Sequence, residues 1–160
     1  MQIKLPFDAN KPVSGEASID INKPSQEVFS YIGQRFFENY PKWAVEIVEF
    51  EPLDGPDVFV GAKAKQIRQD NGTEIESIFE ITEYQPYLKI IFQGLTSPYK
   101  HTYLLESDEQ TQPTRLTFRF ELLELEVFMR PFEKLIRLAI EEGAENTVNN
   151  IKNLITSDCN

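Results

Sequence analysis

Apolar and polar positions alternate with a period of two along much of the chain as far as Leu122, and the period lengthens to that of a helix after it. From Ser14 to Asn22, Ala17, Ile19 and Ile21 alternate with Glu16, Ser18 and Asp20, which predicts a half-buried first strand. Lys23-Pro24-Ser25 stops that strand, and Ser25 is expected to cap a short helix in which Val28, Phe29 and Ile32 recur at helical spacing. A second short helix, about Arg35 to Tyr40, is expected to end before Pro41. Trp43 to Pro52, rich in Val, Ile and Phe, predicts the second strand, and Asp54-Gly55-Pro56-Asp57 the turn that follows.

Val60 to Gln69 and Thr73 to Tyr84 are joined by Asp70-Asn71-Gly72, and Asn-Gly is a strong hairpin signal because a type I′ turn needs positive φ at both central residues. With Asn71 and Gly72 as the loop, Ala62 pairs with Ile81, Ala64 with Phe79, Gln66 with Ser77 and Arg68 with Ile75 on one face. Lys63 then opposes Glu80, and Gln69 opposes Glu74, on the other. The first face is drier, as expected of a sheet with one side on a core, and Glu76 points outward. Three further strands follow. Tyr87 to Gly94 alternates Leu88, Ile90 and Phe92; Tyr99 to Glu106 alternates Tyr99, His101, Tyr103 and Leu105; the last alternates Leu116, Phe118, Phe120 and Leu122 after the polar loop Ser107 to Pro113. Seven strands result, the last six in hairpin order, so the sheet should be antiparallel.

From about Met129 to Thr156 the helical run is long enough, at 1.5 Å per residue, to cross a sheet over roughly 40 Å, with Pro131 tolerable only in its first turn. Phe132, Leu135, Ile136, Ala139, Gly143, Asn146, Thr147, Asn150 and Leu154 share one face, which is expected to be the gripped one; Lys134, Arg137, Glu141, Glu145 and Lys152 lie opposite.

Composition narrows the possible partners. A chain of 160 residues is the size of one domain, expected to span 1–160 with its core at about 14–156, since no repeat, linker or low-complexity tract divides it. The 26 acidic residues outnumber the 16 basic ones and leave a formal charge of -10, a field that repels nucleic acid and anionic bilayers. With a single cysteine, Cys159, no intramolecular disulfide is possible, and Cys159 is read as a bystander thiol. No apolar run suggests a signal peptide or membrane span, so a cytoplasmic protein without stable membrane association is expected, monomeric or homodimeric.

Catalytic motifs are sparse. His101 is the only histidine, so any relay would have to run through it. One histidine among scattered carboxylates has no metal-ligand spacing, and no glycine-rich phosphate loop occurs, so neither metal nor cofactor is expected.

The order strand, two short helices, six strands, long helix carries several local strings with it. These are Ile19-Asp20-Ile21 leading to Pro24 and Val28-Phe29, Tyr40-Pro41-Lys42-Trp43, Val60-Gly61-Ala62, Tyr103-Leu104-Leu105-Glu106, Thr114-Arg115-Leu116-Thr117 and Asn150-Ile151-Lys152-Asn153-Leu154. In their order and spacing the chain resembles the START-like (SRPBCC) helix-grip superfamily, and within it the polyketide cyclase/dehydrase and lipid-transport branch. The resemblance implies an α+β fold, a seven-stranded antiparallel sheet wrapped around a long C-terminal helix with two short helices between strands 1 and 2. It also implies a cavity between sheet and helix for a small apolar molecule. It does not imply one chemistry, since the fold serves carriers, receptors, cochaperones and cyclases.

Within such a cavity, Gln66, Ser77, His101 and Tyr103 are the polar groups on the otherwise apolar inner face, and each needs a partner, whether ligand, water or one another. Phe79, Phe92, Phe118, Phe120 and Phe132, with Trp43, supply aromatic bulk that lines a cavity or packs an ordinary core; the periodicity is the same for both. Ile136, Ala139 and Gly143 face the sheet from the helix. A mid-helix glycine costs about 1 kcal/mol relative to alanine, so Gly143 either leaves space over a pocket or lets the helix approach a strand closely. The expected function is to bind or carry a small hydrophobic molecule such as a lipid or polyketide. The alternatives are a cyclase or dehydrase using His101 or Tyr103 for proton transfer, and a partner-binding module marked by an exposed apolar patch.

Overall fold

A computed structural model describes residues 11–108 and 112–157; Cys159, residues 1–10 and the middle of the Ser107 to Pro113 loop lie outside the described residues. The strands are β1 (Val13–Ile21), β2 (Ile47–Pro52), β3 (Lys63–Asp70), β4 (Thr73–Gln85), β5 (Lys89–Gly94), β6 (Tyr99–Glu106) and β7 (Thr114–Leu122). They form one antiparallel sheet in the order β1-β7-β6-β5-β4-β3-β2. Strands consecutive from β2 to β7 are neighbours, whereas β1 and β2 lie at opposite edges. The chain between them carries α1 (Ser25–Phe29), a π-helical turn (Ser30–Gln34) and α2 (Phe36–Trp43) across the concave side. A 3-10 turn (Val127–Phe132) leads into the long α3 (Glu133–Ser157), which packs chiefly on β1 and β7. This is the helix-grip fold.

The β3–β4 hairpin has the register read from Asn-Gly: Ala64 opposes Phe79, Gln66 opposes Ser77, Arg68 opposes Ile75 and Lys63 opposes Glu80. Asn71 (φ 50) and Gly72 (φ 79) both occupy the left-handed region that a type I′ turn requires. Beyond β3 the ladder is interrupted, because Gly61 sits at φ +98 in a turn and the strand begins at Lys63 rather than Val60. Ile81 still bonds both sides of that turn, accepting from Gly61 N–H at 2.8 Å and donating to Ala62 O at 2.9 Å. Extra residues at Val48 in β2 and Thr82 in β4 shift the register and bend the sheet.

Three local expectations are corrected. Ser25 does not cap α1: Pro24 occupies the N-cap and no side-chain cap bond forms. Pro41 does not end the second helix, which continues to Trp43. Proline removes one ladder bond, but the ladder resumes with Ala44 N–H donating to Tyr40 O at 3.0 Å, and burial of Phe36, Tyr40 and Trp43 holds the segment in place. Trp43 therefore belongs to a helix, not to β2.

The third correction concerns α3. Its buried side chains are Ala144, Val148, Ile151 and Ile155, a stripe rotated by roughly 120° from the expected face at 100° per residue. Phe132 and Leu135, expected inside, are 51% and 66% exposed. Close approach to the sheet is made at Gly15 of β1, where an added Cβ would stand 2.9 Å from Ile140 Cγ2 and Glu141 Cγ. At Gly143 an added Cβ would meet nothing within 4 Å, so this glycine borders open space.

Candidate functional site

The concave face divides into two parts. Over β3, β4 and β5 it is filled by α2. Phe36 stacks on Tyr40 with ring centroids 5.0 Å apart and meets Phe92 at 5.3 Å; Phe92 lies 4.2 Å from Phe79. Trp43 Nε1 donates to the Tyr103 hydroxyl at 3.2 Å. Phe79, Phe92 and Tyr103 are thus buried in an aromatic core beneath α2.

The inner-face polar groups in this part satisfy one another. Tyr40 OH donates to Gln66 Oε1 at 2.9 Å, and Gln66 Nε2 donates to Ser77 Oγ and Tyr99 OH, each at 3.3 Å. Ser77 Oγ and Tyr99 OH share a further bond of 3.1 Å. Burial raises the pKa of the Tyr40, Tyr99 and Tyr103 phenols, which stay protonated and able to donate.

The other part is open. Between β6, β7 and the first half of α3 lies a cleft of about 340 Å³. His101, Phe118 and Phe120 form its sheet wall; Ile136, Ala139, Ile140, Gly143, Ala144 and Thr147 form its helix wall; Glu46, Arg68 and Asp70 stand at one end. Of the residues expected at a site, the cleft brings together His101, Phe118, Phe120, Ile136, Ala139 and Gly143. Gln66, Ser77, Phe79, Phe92 and Tyr103 are not among its walls, and Phe132 lies outside it.

Arg68, Glu46 and Asp70 are not expected there from the sequence pattern. For Arg68 a signal exists, since the hairpin register already puts it on the dry face. Glu76, by contrast, is outward and paired with Lys65 at 2.9 Å. Asn150, also on the expected helix face, donates to Trp43 O at 3.1 Å and ties α3 to the end of α2. A larger depression of about 390 Å³, along β2 and β3, is walled by Glu49, Glu51 and Lys65 with Phe50 and Ile67, and so is mostly a solvated charged surface.

His101 is the polar anomaly of the cleft. Its ring is boxed by Phe92 at 4.3 Å, Phe120 at 5.0 Å, Phe118 at 5.3 Å and Tyr99 at 5.4 Å. Both ring nitrogens are buried without a hydrogen-bond partner, as is Arg68 Nε. Burial, reinforced by the Arg68 guanidinium, pushes the imidazole down to about 3, so the ring is neutral at physiological pH. Arg68 itself meets Glu46 across 3.6 Å.

The sequence matches the family described as polyketide cyclase / dehydrase and lipid transport over residues 12–155, and the chain belongs to that family. Solved structures share the fold at low identity. TTHA0849 from Thermus thermophilus superposes with a TM-score of 0.73 at 14% identity, over 92% of this chain and 99% of that one. A protein of unknown function, SA2116 from Staphylococcus aureus, gives 0.72 at 16% identity, over 93% and 96%. The di-domain ARO/CYC StfQ of the steffimycin biosynthetic pathway gives 0.72 at 10% identity over 93% of this chain, which spans about half (52%) of StfQ. No curated protein matches the sequence. Among the described residues no helix is long and apolar enough to cross a membrane.

Proposed function

We propose that the chain binds or carries a small hydrophobic molecule in the cleft between β6, β7 and α3. The observation that carries this reading is the open space at Gly143, in a cleft whose sheet wall is Phe118 and Phe120, beside a part of the concave face that the rings of α2 fill. Apolar walls with few polar groups are what a small-molecule site requires, and about 340 Å³ falls in the lower part of the usual range. Family membership supports the same reading. The proton-transfer alternative has less support. An enzyme needs at least two suitable groups converging on one point. Of the two residues expected to move a proton, Tyr103 is engaged by Trp43 in the core and His101 alone borders the cleft. Glu46 and Asp70 stand at its end, and Glu46 is already opposed to Arg68.

Incubation of the purified protein with a lipid extract, followed by native mass spectrometry and thermal melts, tests the proposal. A retained apolar compound with a raised melting temperature is expected, since a ligand at a hundredfold excess over its Kd stabilises by about 2.7 kcal/mol. No retained compound, together with no thermal shift for any apolar compound tried, overturns it.

A further inference from the structure

We propose that the ligand of this cleft is a neutral apolar molecule bearing a hydroxyl group, with its oxygen meeting His101 and its apolar body lying against Phe118 and Phe120. The inference rests on the reading of the cleft as a ligand site. His101 sits mid-sheet, with Phe92 opposite it on β5 and Phe120 opposite it on β7. Neither of those neighbours, nor Phe118, can accept or donate a conventional hydrogen bond, and both imidazole nitrogens are left unpaired. A buried unpaired polar atom is costly, and on the other half of the same sheet face Gln66, Ser77 and Tyr99 have found partners.

The chemistry of the missing partner follows from what the cleft offers. A neutral imidazole presents one donor and one acceptor. A hydroxyl is complementary to either nitrogen, because it accepts from N–H and donates to bare N. A carboxylate only accepts and an ammonium only donates. Arg68, whose Nε–H is buried without an acceptor, also lines the cleft, and a hydroxyl oxygen has a second lone pair that could receive a second donor.

Charge argues against a carboxylate ligand. The mouth holds one guanidinium and two carboxylates, Arg68 is already opposed by Glu46, and the buried imidazole supplies no positive charge. Both nitrogens are buried. The χ2 torsion of histidine is broad and roughly two-fold, and the proposal includes a turn of the ring that presents one nitrogen to the ligand oxygen.

His101 is the only histidine in the sequence, so ¹⁵N-labelled histidine in untagged protein reports this ring alone. The protein is titrated at neutral pH with 2-naphthol, naphthalene and 2-naphthoate. 2-Naphthol is expected to bind about fivefold more tightly than naphthalene, the worth of one hydrogen bond, and to displace the imidazole ¹⁵N resonances. Naphthalene should leave those resonances nearly unmoved, and 2-naphthoate should bind most weakly. His101→Phe should bind naphthalene and lose the preference for naphthol. Equal affinities for naphthol and naphthalene with a silent imidazole, or tighter binding of naphthoate, overturn the proposal while leaving an apolar cleft. Binding of none of the three overturns both the proposal and the ligand-site reading beneath it.

Discussion

The two halves of the concave face are built from the same alternating strands and end in opposite states. Beneath α2, Gln66, Ser77, Tyr99 and Tyr40 close their hydrogen bonds among themselves, and Phe36, Phe79 and Phe92 fill the space between. Beneath the first half of α3, His101 keeps two unpaired nitrogens and Gly143 faces open space. The difference comes from what lies above the sheet. Helix α2 presents Phe36, Tyr40 and Trp43 toward the strands, whereas α3 presents alanine, glycine and two isoleucines there and turns its larger apolar residues elsewhere. Small side chains on a covering helix leave a cleft, and large ones make a core.

The contrast is broken most severely by emptying the filled half. Phe36→Ala should cost about 3–5 kcal/mol in chemical denaturation, because a buried aromatic in a close-packed cluster leaves a cavity that rigid neighbours do not collapse into. The rings Phe36 packs against, Tyr40, Phe79 and Phe92 among them, are not walls of the cleft, so a ligand, once identified, should still bind in whatever fraction remains folded.

Acid should find the open half next. The folded-state pKa of His101, about 3, lies below the unfolded value of about 6.5. As pH falls below 6.5 the unfolded chain takes up a proton that the folded chain refuses, so stability falls by up to about 1.4 kcal/mol per pH unit until roughly pH 3. Above 6.5 the effect vanishes. Denaturant melts at pH 6.5 and 4.5 should therefore differ less in His101→Phe than in the parent by roughly 2–3 kcal/mol. Equal acid sensitivity in the two proteins would show that the imidazole is not held neutral.

Tyr40→Phe sharpens the comparison on the filled side. It deprives Gln66 Oε1 of its donor without changing the ring packing, and should cost about 1–3 kcal/mol as one buried acceptor goes unmet. The smallest effect on stability is expected at Gly143. Gly143→Leu adds bulk to open space and improves helix propensity, so the melt should move by less than about 1 kcal/mol while ligand uptake is abolished. Gly15→Ala is the control: its Cβ meets Ile140 and Glu141 at 2.9 Å, and overpacking of that kind costs roughly 1–3 kcal/mol.

Local structure was legible where turn chemistry and strand alternation governed it. Asn71-Gly72 specifies a turn, the turn specifies the register, and the register puts Gln66, Ser77 and Arg68 on the inner face. The two short helices, six consecutive hairpin-ordered strands and the long helix all follow from periods of two and 3.6. The departures are also instructive. Pro41 reads as a terminator because proline removes a hydrogen bond, but three buried aromatics on one helical face outweigh that loss. The apparent apolar face of α3 lies about 120° away from the buried stripe because Phe132, Leu135 and Leu154 pull the apolar direction toward themselves. Phe132 and Leu135 lie before the helix reaches the core. A signal for the pairing of β1 with β7 is present in the charges: Glu16 faces Arg119, and Asp20 faces Arg115, as outward cross-strand pairs of opposite sign.

The sequence by itself determined the element order, the antiparallel hairpins and which side of the alternating strands faces inward, because these depend on turn chemistry and on alternation between neighbours two residues apart. Only the tertiary structure decided that α2 rather than α3 fills most of the concave face. It also decided that Gln66 and Ser77 satisfy each other and Tyr99, and that His101 does not share in their network. Periodicity records that a residue is withdrawn from bulk water; it carries no record of which helix covers it, or whether a packed ring or an open cleft lies on the other side. That is settled by the sizes of side chains far apart in the chain, brought face to face by the crossing of α2 and α3 over the sheet.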